Sequence, residues 1–220
     1  MPRLKVGVLI SGRGSNLQAL IEAAAEPGYP AEIVTVISNR HEVPGLQHAA
    51  AAGIPHHIIA EPDRAAFAQA ADRILRDGQV ELVALAGFMR ILDSGFVAAW
   101  TDRMINIHPS LLPAFPGLHP QRQALAAGVK FSGCTVHFVR NAVDTGPIIA
   151  QAVVPVEDGD DEDRLAARIL AAEHHLYPLA LRLFAEGRLR IAGERVIAAG
   201  ATVPDITTLN PMERLASRGG

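Results

Sequence analysis

The sequence predicts an α/β fold: a Rossmann-like, mostly parallel sheet with helices on both faces and antiparallel strands in the C-terminal half. Two observations carry this expectation. In the first hundred residues, short β-branched runs with few polar interruptions alternate with stretches whose apolar residues recur at helical spacing. The later chain replaces that alternation with two apolar runs joined by turn residues, followed by one long helical pattern.

In chain order, LKVGVLI (4–10), AEIVTVIS (31–38) and VELVALA (80–86) read as strands buried on both faces. Between them, SNLQALIEAAAE (15–26), EVPGLQHAAAAG (42–53) and DRAAFAQAADRILRDG (63–78) read as helices, the last stopping at Gly78. A further strand-like run ends in Asn106 and His108. CTVHFV (134–139) and PIIAQAVVPV (147–156), separated by RNAVDTG, are expected to form a hairpin. A helix then runs from about Asp161 to Glu186, with Pro178 expected to bend or end it. GRLRIAGERVIA (187–198) suggests a closing two-stranded ribbon, and the chain beyond Gly200 is expected to be irregular and frayed. No linker divides the pattern, so residues 1–200 read as a single domain with an irregular tail at 201–220.

Composition narrows the function classes. Apolar residues make up 49% of the 220 and charged residues 20%, which is ordinary for a globular chain. The net charge of -3 comes with no long basic block, against the concentrated positive footprint that nucleic-acid binding needs. Cys134 is the only cysteine and has no internal disulfide partner, which suits a reducing compartment. The first apolar run is broken by Gly12, Arg13 and Gly14, too early for a secretory signal, and no window approaches a membrane span. A cytoplasmic location with no membrane partner is the expectation.

Three sequence features suggest chemistry. In SGRGSN, the glycines at 12 and 14 permit a tight strand-to-helix turn, and Ser15 and Asn16 can cap the helix that follows. Unpaired N–H groups and the helix dipole favour a phosphate there. The motif departs from a dinucleotide fingerprint because Leu17 holds the third glycine position, and a turn with a cap and no ligand is the alternative. Asn106 and His108, two residues apart, share a strand face at a carboxyl end, where α/β ligands bind. Prolines 109, 113, 116 and 120 stiffen the segment after them into a wall. Asp144, before Thr-Gly-Pro, suits an Asx-type turn, or a carboxylate that orients His108 if the two meet. Either polar strand residue could instead be a satisfied structural group.

Metal readings fail on spacing. The acidic run 157–163 lacks the glycine and distal glutamate of a calcium loop and fits a solvated helix start. His56-His57 and His174-His175 are adjacent pairs whose side chains diverge, so no metal is expected. Cys134 is expected as a small core residue.

Taken together, ISGRGSNLQAL (10–20), LAGFMRIL (85–92), INIHPSLLPAFPGLH (105–119) and VDTGPIIAQAVVPV (143–156) resemble the glycinamide ribonucleotide formyltransferases, folate-dependent enzymes of purine synthesis. The resemblance covers about residues 4–190. The block Asn-x-His-Pro-Ser-Leu-Leu-Pro marks folate formyl-processing enzymes in general, and the continuation AFPGLH points to this family rather than its methionyl-tRNA relatives.

The resemblance implies the formyltransferase fold, with residues 1–100 as a phosphate-binding half and 101–200 as a folate-binding and catalytic half. It implies transfer of the formyl group of 10-formyltetrahydrofolate, a cosubstrate, to the amine of 5-phosphoribosylglycinamide, without a metal, by a monomer or homodimer. It assigns catalysis to Asn106, His108 and Asp144, and substrate binding to Gly14, Ser15, Asn16 and Glu173. Arg64, Met89, Arg90, Ile91, Leu92 and Asn106 fall to the folate. Read without the family, Glu173 is a solvated helix glutamate and Arg64 a helix-surface charge. The chain departs from the family pattern at Gln121, where a second histidine is common, and at Arg140-Asn141, where an acidic residue is common. Competing expectations are hydrolysis of 10-formyltetrahydrofolate and a non-catalytic phosphate- or nucleotide-binding module.

Overall fold

A computed structural model describes residues 2–202 and 207–211. The chain begins with strand β1 (Leu4–Ile10), helix α1 (Ser15–Ala25), β2 (Ala31–Ser38), α2 (Pro44–Ala51), β3 (His56–Ile58), α3 (Arg64–Asp77) and β4 (Leu82–Leu85). It continues through α4 (Ser94–Ala99), β5 (Met104–His108), α5 (Pro120–Ala126), β6 (Phe131–Phe138), β7 (Ile148–Pro155) and α6 (Glu162–Ala185). A ribbon of β8 (Leu189–Ala192) and β9 (Arg195–Ala198) closes the order.

One seven-stranded sheet has the order β3-β2-β1-β4-β5-β6-β7. The first five neighbours pair parallel, while β6 runs antiparallel to both β5 and β7. This is the mixed α/β architecture expected, and the sheet is continuous across the change in sequence pattern.

Strand alternation sorts the core into two layers. Val6, Val8, Leu82, Ala84, Ile105 and Ile107 pack with α1 and α6 on one face. Leu9, Val83, Leu85 and Met104 pack with Phe67 and Leu75 of α3, Phe96 of α4 and its C-cap Trp100 on the other. Burial on both faces explains why these strands read as continuous apolar runs. Cys134 is fully buried in the first layer, and burial pushes its thiol up to about 12, which leaves it inert near neutrality.

Several local expectations are corrected. The run 80–86 forms a strand, β4, only over Leu82–Leu85, and β3, α4 and α5 add to the elements read from the sequence. The expected stop of α3 at Gly78 holds: Gly78 is its C-cap with φ -75, and the left-handed residue is the next one, Gln79, at φ 53. Pro178 lies inside α6 without ending it. Buried Tyr177, Ala180 and Leu181 hold that turn against the sheet, and the Tyr177 hydroxyl bridges to the carbonyls of Leu85 and Ile105 at 3.0 and 3.3 Å. Tertiary packing there outweighs the lost helix bond. In the tail, residues 207–211 have no regular structure, but the Asn210 amide donates to the carbonyls of Lys130 and Val156. The frayed end expected from ASRGG lies outside the described residues. Among the described residues, no helix is long and apolar enough to cross a membrane.

Candidate active site

The chain leaves β1 and turns sharply before α1. Gly14 occupies the N-cap with φ 76, and a Cβ there would lie 2.4 Å from the Gly45 Cα. Only glycine fits both the conformation and the approach of α2. The expectation that Ser15 and Asn16 cap α1 is corrected: no side chain caps this helix, and Ser15 and Asn16 are its first two residues. The first-turn N–H groups are therefore left to an external acceptor, which the helix dipole favours as an anion.

Asn16 has a different partner. Its side-chain amide donates to Glu173 Oε2 at 2.8 Å, joining the first turn of α1 to α6. Asn16 and Glu173 are 8% and 6% exposed, so Glu173 is not the solvated glutamate that helix composition suggested. Burial pushes the Glu173 carboxyl above the ordinary glutamate range, with the Asn16 amide pulling the other way. The Asn16 Oδ1 is buried and unpartnered among the described residues. This pair thus presents acceptor atoms toward any ligand that carries hydroxyl or amine donors.

The second group of residues grows from β5. Asn106 and His108 alternate with Ile105 and Ile107, so they share the face of Met104, toward α3 and α4. The antiparallel register sets Asn106 opposite His137 and His108 opposite Thr135. His108 Nδ1 lies 3.4 Å from Asp144 Oδ2, and His108 Nε2 lies 3.0 Å from the Phe115 carbonyl oxygen. Both ring nitrogens face acceptors, an arrangement that an imidazolium satisfies fully and a neutral ring only half. Asp144 sits at φ 55 in the β6–β7 connection, and its Oδ2 accepts the Gly117 N–H at 2.8 Å. Its turn conformation and its contact with His108 coexist.

The proline wall is held by more than ring stiffness. Thr135 Oγ1 donates to the Ser110 carbonyl and accepts from the Leu112 N–H, while Ser110 Oγ donates to the Ala114 carbonyl. Pro120 starts α5 at a position where its missing N–H costs nothing. Beside the wall, a cavity of about 590 Å³ reaches Asp144 between Pro113, Pro116 and Val196.

Residues 87–92 form a third element. The Met89 N–H donates to Ser11 Oγ at 2.8 Å, and Ser11 Oγ donates to Asn39 Oδ1 at 2.6 Å. Met89 and Ile91 are exposed, whereas Leu92 packs against the α3–α4 core. The Arg90 guanidinium stacks 4.9 Å over the Phe67 ring and donates to the carbonyls of Glu61 and Pro62, so its charge is already engaged. Arg64 is exposed at the first residue of α3, two residues beyond those carbonyls. Arg140 pairs with Asp102 at 2.7 Å, and Gln121 is half-buried in α5.

The structure therefore joins Asn106, His108 and Asp144 in one cluster through His137, and Asn16 with Glu173 in another, between α1 and α6. Sequence reasoning missed His137. Its Nε2 lies 3.2 Å from Asn106 Nδ2 and 3.9 Å from Asp144 Oδ1. Burial pushes its imidazole below the ordinary histidine range, opposed by the Phe138 carbonyl and the Asp144 carboxylate and reinforced by His108. The available signal was a polar ring inside the apolar run CTVHFV. Among the described residues, no three His, Cys, Asp or Glu side chains group as metal ligands would.

The model of one protein family, described as formyl transferase, matches residues 4–181. Over 198 residues the chain is 56% identical to a trifunctional purine biosynthetic protein adenosine-3 from Drosophila pseudoobscura pseudoobscura, covering 88% of this chain but 14% of that protein. It is 43% identical over 204 residues to phosphoribosylglycinamide formyltransferase from Escherichia coli, covering 91% of this chain and 96% of the relative. Among solved structures, glycinamide ribonucleotide transformylase 1 from Symbiobacterium toebii superposes with a TM-score of 0.86 at 51% identity, covering 89% and 94% of the two chains. With a family match over most of its length and relatives of its own size, the chain belongs to the formyl transferase family.

Proposed function

We propose that this chain transfers the formyl group of 10-formyltetrahydrofolate to the primary amine of 5-phosphoribosylglycinamide, releasing formylglycinamide ribonucleotide and tetrahydrofolate. The observation that carries this reading is the convergence of Asn106, His108 and Asp144 at the carboxyl end of the sheet that also bears the glycine turn. The relatives named for that activity are similar over nearly their full length.

In this reaction the amine nitrogen attacks the formyl carbon, and the carbonyl electrons move onto oxygen. Collapse of the tetrahedral intermediate breaks the bond to the folate N10, which receives the proton that the attacking ammonium loses. Asn106 offers the N–H that His137 leaves unused, and His108 offers its Nε2–H by exchanging the Phe115 carbonyl for the developing oxyanion. One preorganised donor of this kind is worth about 3–4 kcal/mol of barrier. Asp144 balances the imidazolium from the Nδ1 side and, directly or through water, relays the proton. No covalent enzyme intermediate is required, and the Ser110 hydroxyl is engaged with the Ala114 carbonyl.

Binding follows the other two elements. Gly14, Ser15 and Asn16 receive the phosphate at the uncapped start of α1, while Glu173 and the free Asn16 Oδ1 accept from the sugar and amide donors. Met89, Arg90, Ile91 and Leu92 offer backbone groups and exposed apolar surface to the folate ring, and exposed Arg64 faces the same molecule.

The direct test incubates the purified protein with both substrates and follows the formylated product by mass spectrometry. Product that requires both substrates is expected. Formate released at the same rate without the amine identifies a hydrolase instead.

A further inference from the structure

We propose that His137 is a positioning residue that fixes which way the Asn106 amide faces, so that Asn106 meets the reacting oxygen as a donor. The kinetic part of this inference rests on the formyl-transfer reading above, and the structural part does not.

The register shift between β6 and β7 leaves Ile149 of β7 as the extra residue, while His137 keeps the β6 alternation that sets it opposite Asn106 on the same sheet face. His137 Nδ1 lies 2.9 Å from the Phe138 carbonyl oxygen. A carbonyl only accepts, so Nδ1 carries a proton. In a neutral ring Nε2 is then a bare acceptor. The Asp144 Oδ1 pulls toward a charged ring, but at 3.9 Å it is beyond hydrogen-bond reach of Nε2, and His108 is the other titratable group around the ring. An extra cation beside His108 is disfavoured, and burial adds to the same preference for the neutral ring.

An acceptor at Nε2 has one consequence for its neighbour. Asn106 must turn its NH₂, not its oxygen, toward His137, which matches the 3.2 Å contact to Asn106 Nδ2. One N–H of that group is then spent, and the second is left for a ligand at the strand end that also carries His108. If the amide rotated by half a turn, Asn106 would present an oxygen lone pair beside His137 and disrupt the donor set. The chain Phe138 carbonyl, His137, Asn106 therefore converts an ambiguous side chain into a directed donor.

The first measurement is nitrogen-15 NMR of the full chain, histidine-labelled and ligand-free, at neutral pH. The expected result is a neutral His137 with its proton on Nδ1. A proton on Nε2, or an imidazolium, overturns the inference, whatever the activity. The second is kinetic. His137→Leu should lower kcat by roughly 10–100-fold, a part of the effect of losing an oxyanion donor, with the amine substrate's KM nearly unchanged. His137→Gln restores an acceptor and should recover most of the loss. In an Asn106→Ala background, His137→Leu should have an effect of less than about twofold, because its partner is gone. Equal losses in both backgrounds, or an unaltered kcat in His137→Leu, sink the proposal. Should the Leu variant fail to fold, the wild-type tautomer decides. Inactive wild-type protein removes the formyl-transfer reading alone and leaves the tautomer result to stand or fall.

Discussion

The Nδ1 of His108 lies 3.4 Å from Asp144 Oδ2, and that same carboxylate oxygen accepts the Gly117 N–H at 2.8 Å. Asp144 thus ties the catalytic strand end, the proline wall and its own turn together. Asp144→Asn separates the two roles, because an amide oxygen can still accept from Gly117 and asparagine tolerates the left-handed backbone. The variant should melt within a few degrees of wild type and lose turnover by about 10²–10⁴-fold, the range of a proton-transfer and charge-balancing group. Steady-state kinetics beside a thermal melt checks this, and wild-type turnover in a folded variant removes the carboxylate from the mechanism.

The buried Asn16–Glu173 bond has a pH signature. Burial raises the Glu173 carboxyl in the folded state, so the folded chain holds this proton more tightly than the unfolded chain. Stability from this group is then highest at acid pH, below the ordinary glutamate value. It falls as pH rises from that value through the raised one. Glu173→Gln removes the ionisation and keeps an oxygen for the Asn16 amide. Its melting temperature should exceed that of wild type above the raised value and converge with it toward pH 4. Parallel melts at several pH values test this, and a constant difference across them contradicts the assignment.

How far the sequence alone reached depends on whether a property is local. The bounds of β1 and β2 match the runs 4–10 and 31–38 because full burial on both faces leaves an apolar stretch with sharp edges. Strand β3 escaped because three exposed residues leave no periodicity. The meeting of His108 with Asp144 rests on the family resemblance, since chain spacing says nothing about a contact between β5 and the β6–β7 connection. His137 was lost for the same reason: its partnership with Asn106 is a property of the β5–β6 register. Glu173 looked solvated because helix composition does not reveal that α1 packs over it.

Ser11 links two binding elements. Its hydroxyl accepts from the Met89 N–H and donates to Asn39 Oδ1 just before the glycine turn. Ser11→Ala leaves a backbone N–H and a side-chain oxygen without their partner, at a cost of about 1–3 kcal/mol. Part of that loss should appear in positioning of residues 87–92, so the folate KM should rise by roughly 5–30-fold, the equivalent of 1–2 kcal/mol. The amine substrate's KM and kcat should change far less. Separate titrations of the two substrates distinguish this from a general loss of folding, in which both constants drift together.

Gly146 is required by space. A Cβ there would lie 1.6 Å from the Phe138 carbonyl oxygen and 2.7 Å from its carbon, both backbone atoms with no freedom to rotate away. That carbonyl also accepts from His137 Nδ1, and Gly146 lies two residues beyond Asp144. Gly146→Ala must therefore push the loop from β6, lengthening the His108–Asp144 contact and loosening His137 in one step. The overpacking should cost about 1–3 kcal/mol or more, since backbone rather than a flexible side chain must yield. Turnover should fall further than stability, because the displaced atoms belong to the site. Thermal melts and kcat on the same preparation check the pair of outcomes; an alanine variant with wild-type values for both means the loop does not sit where this fold places it.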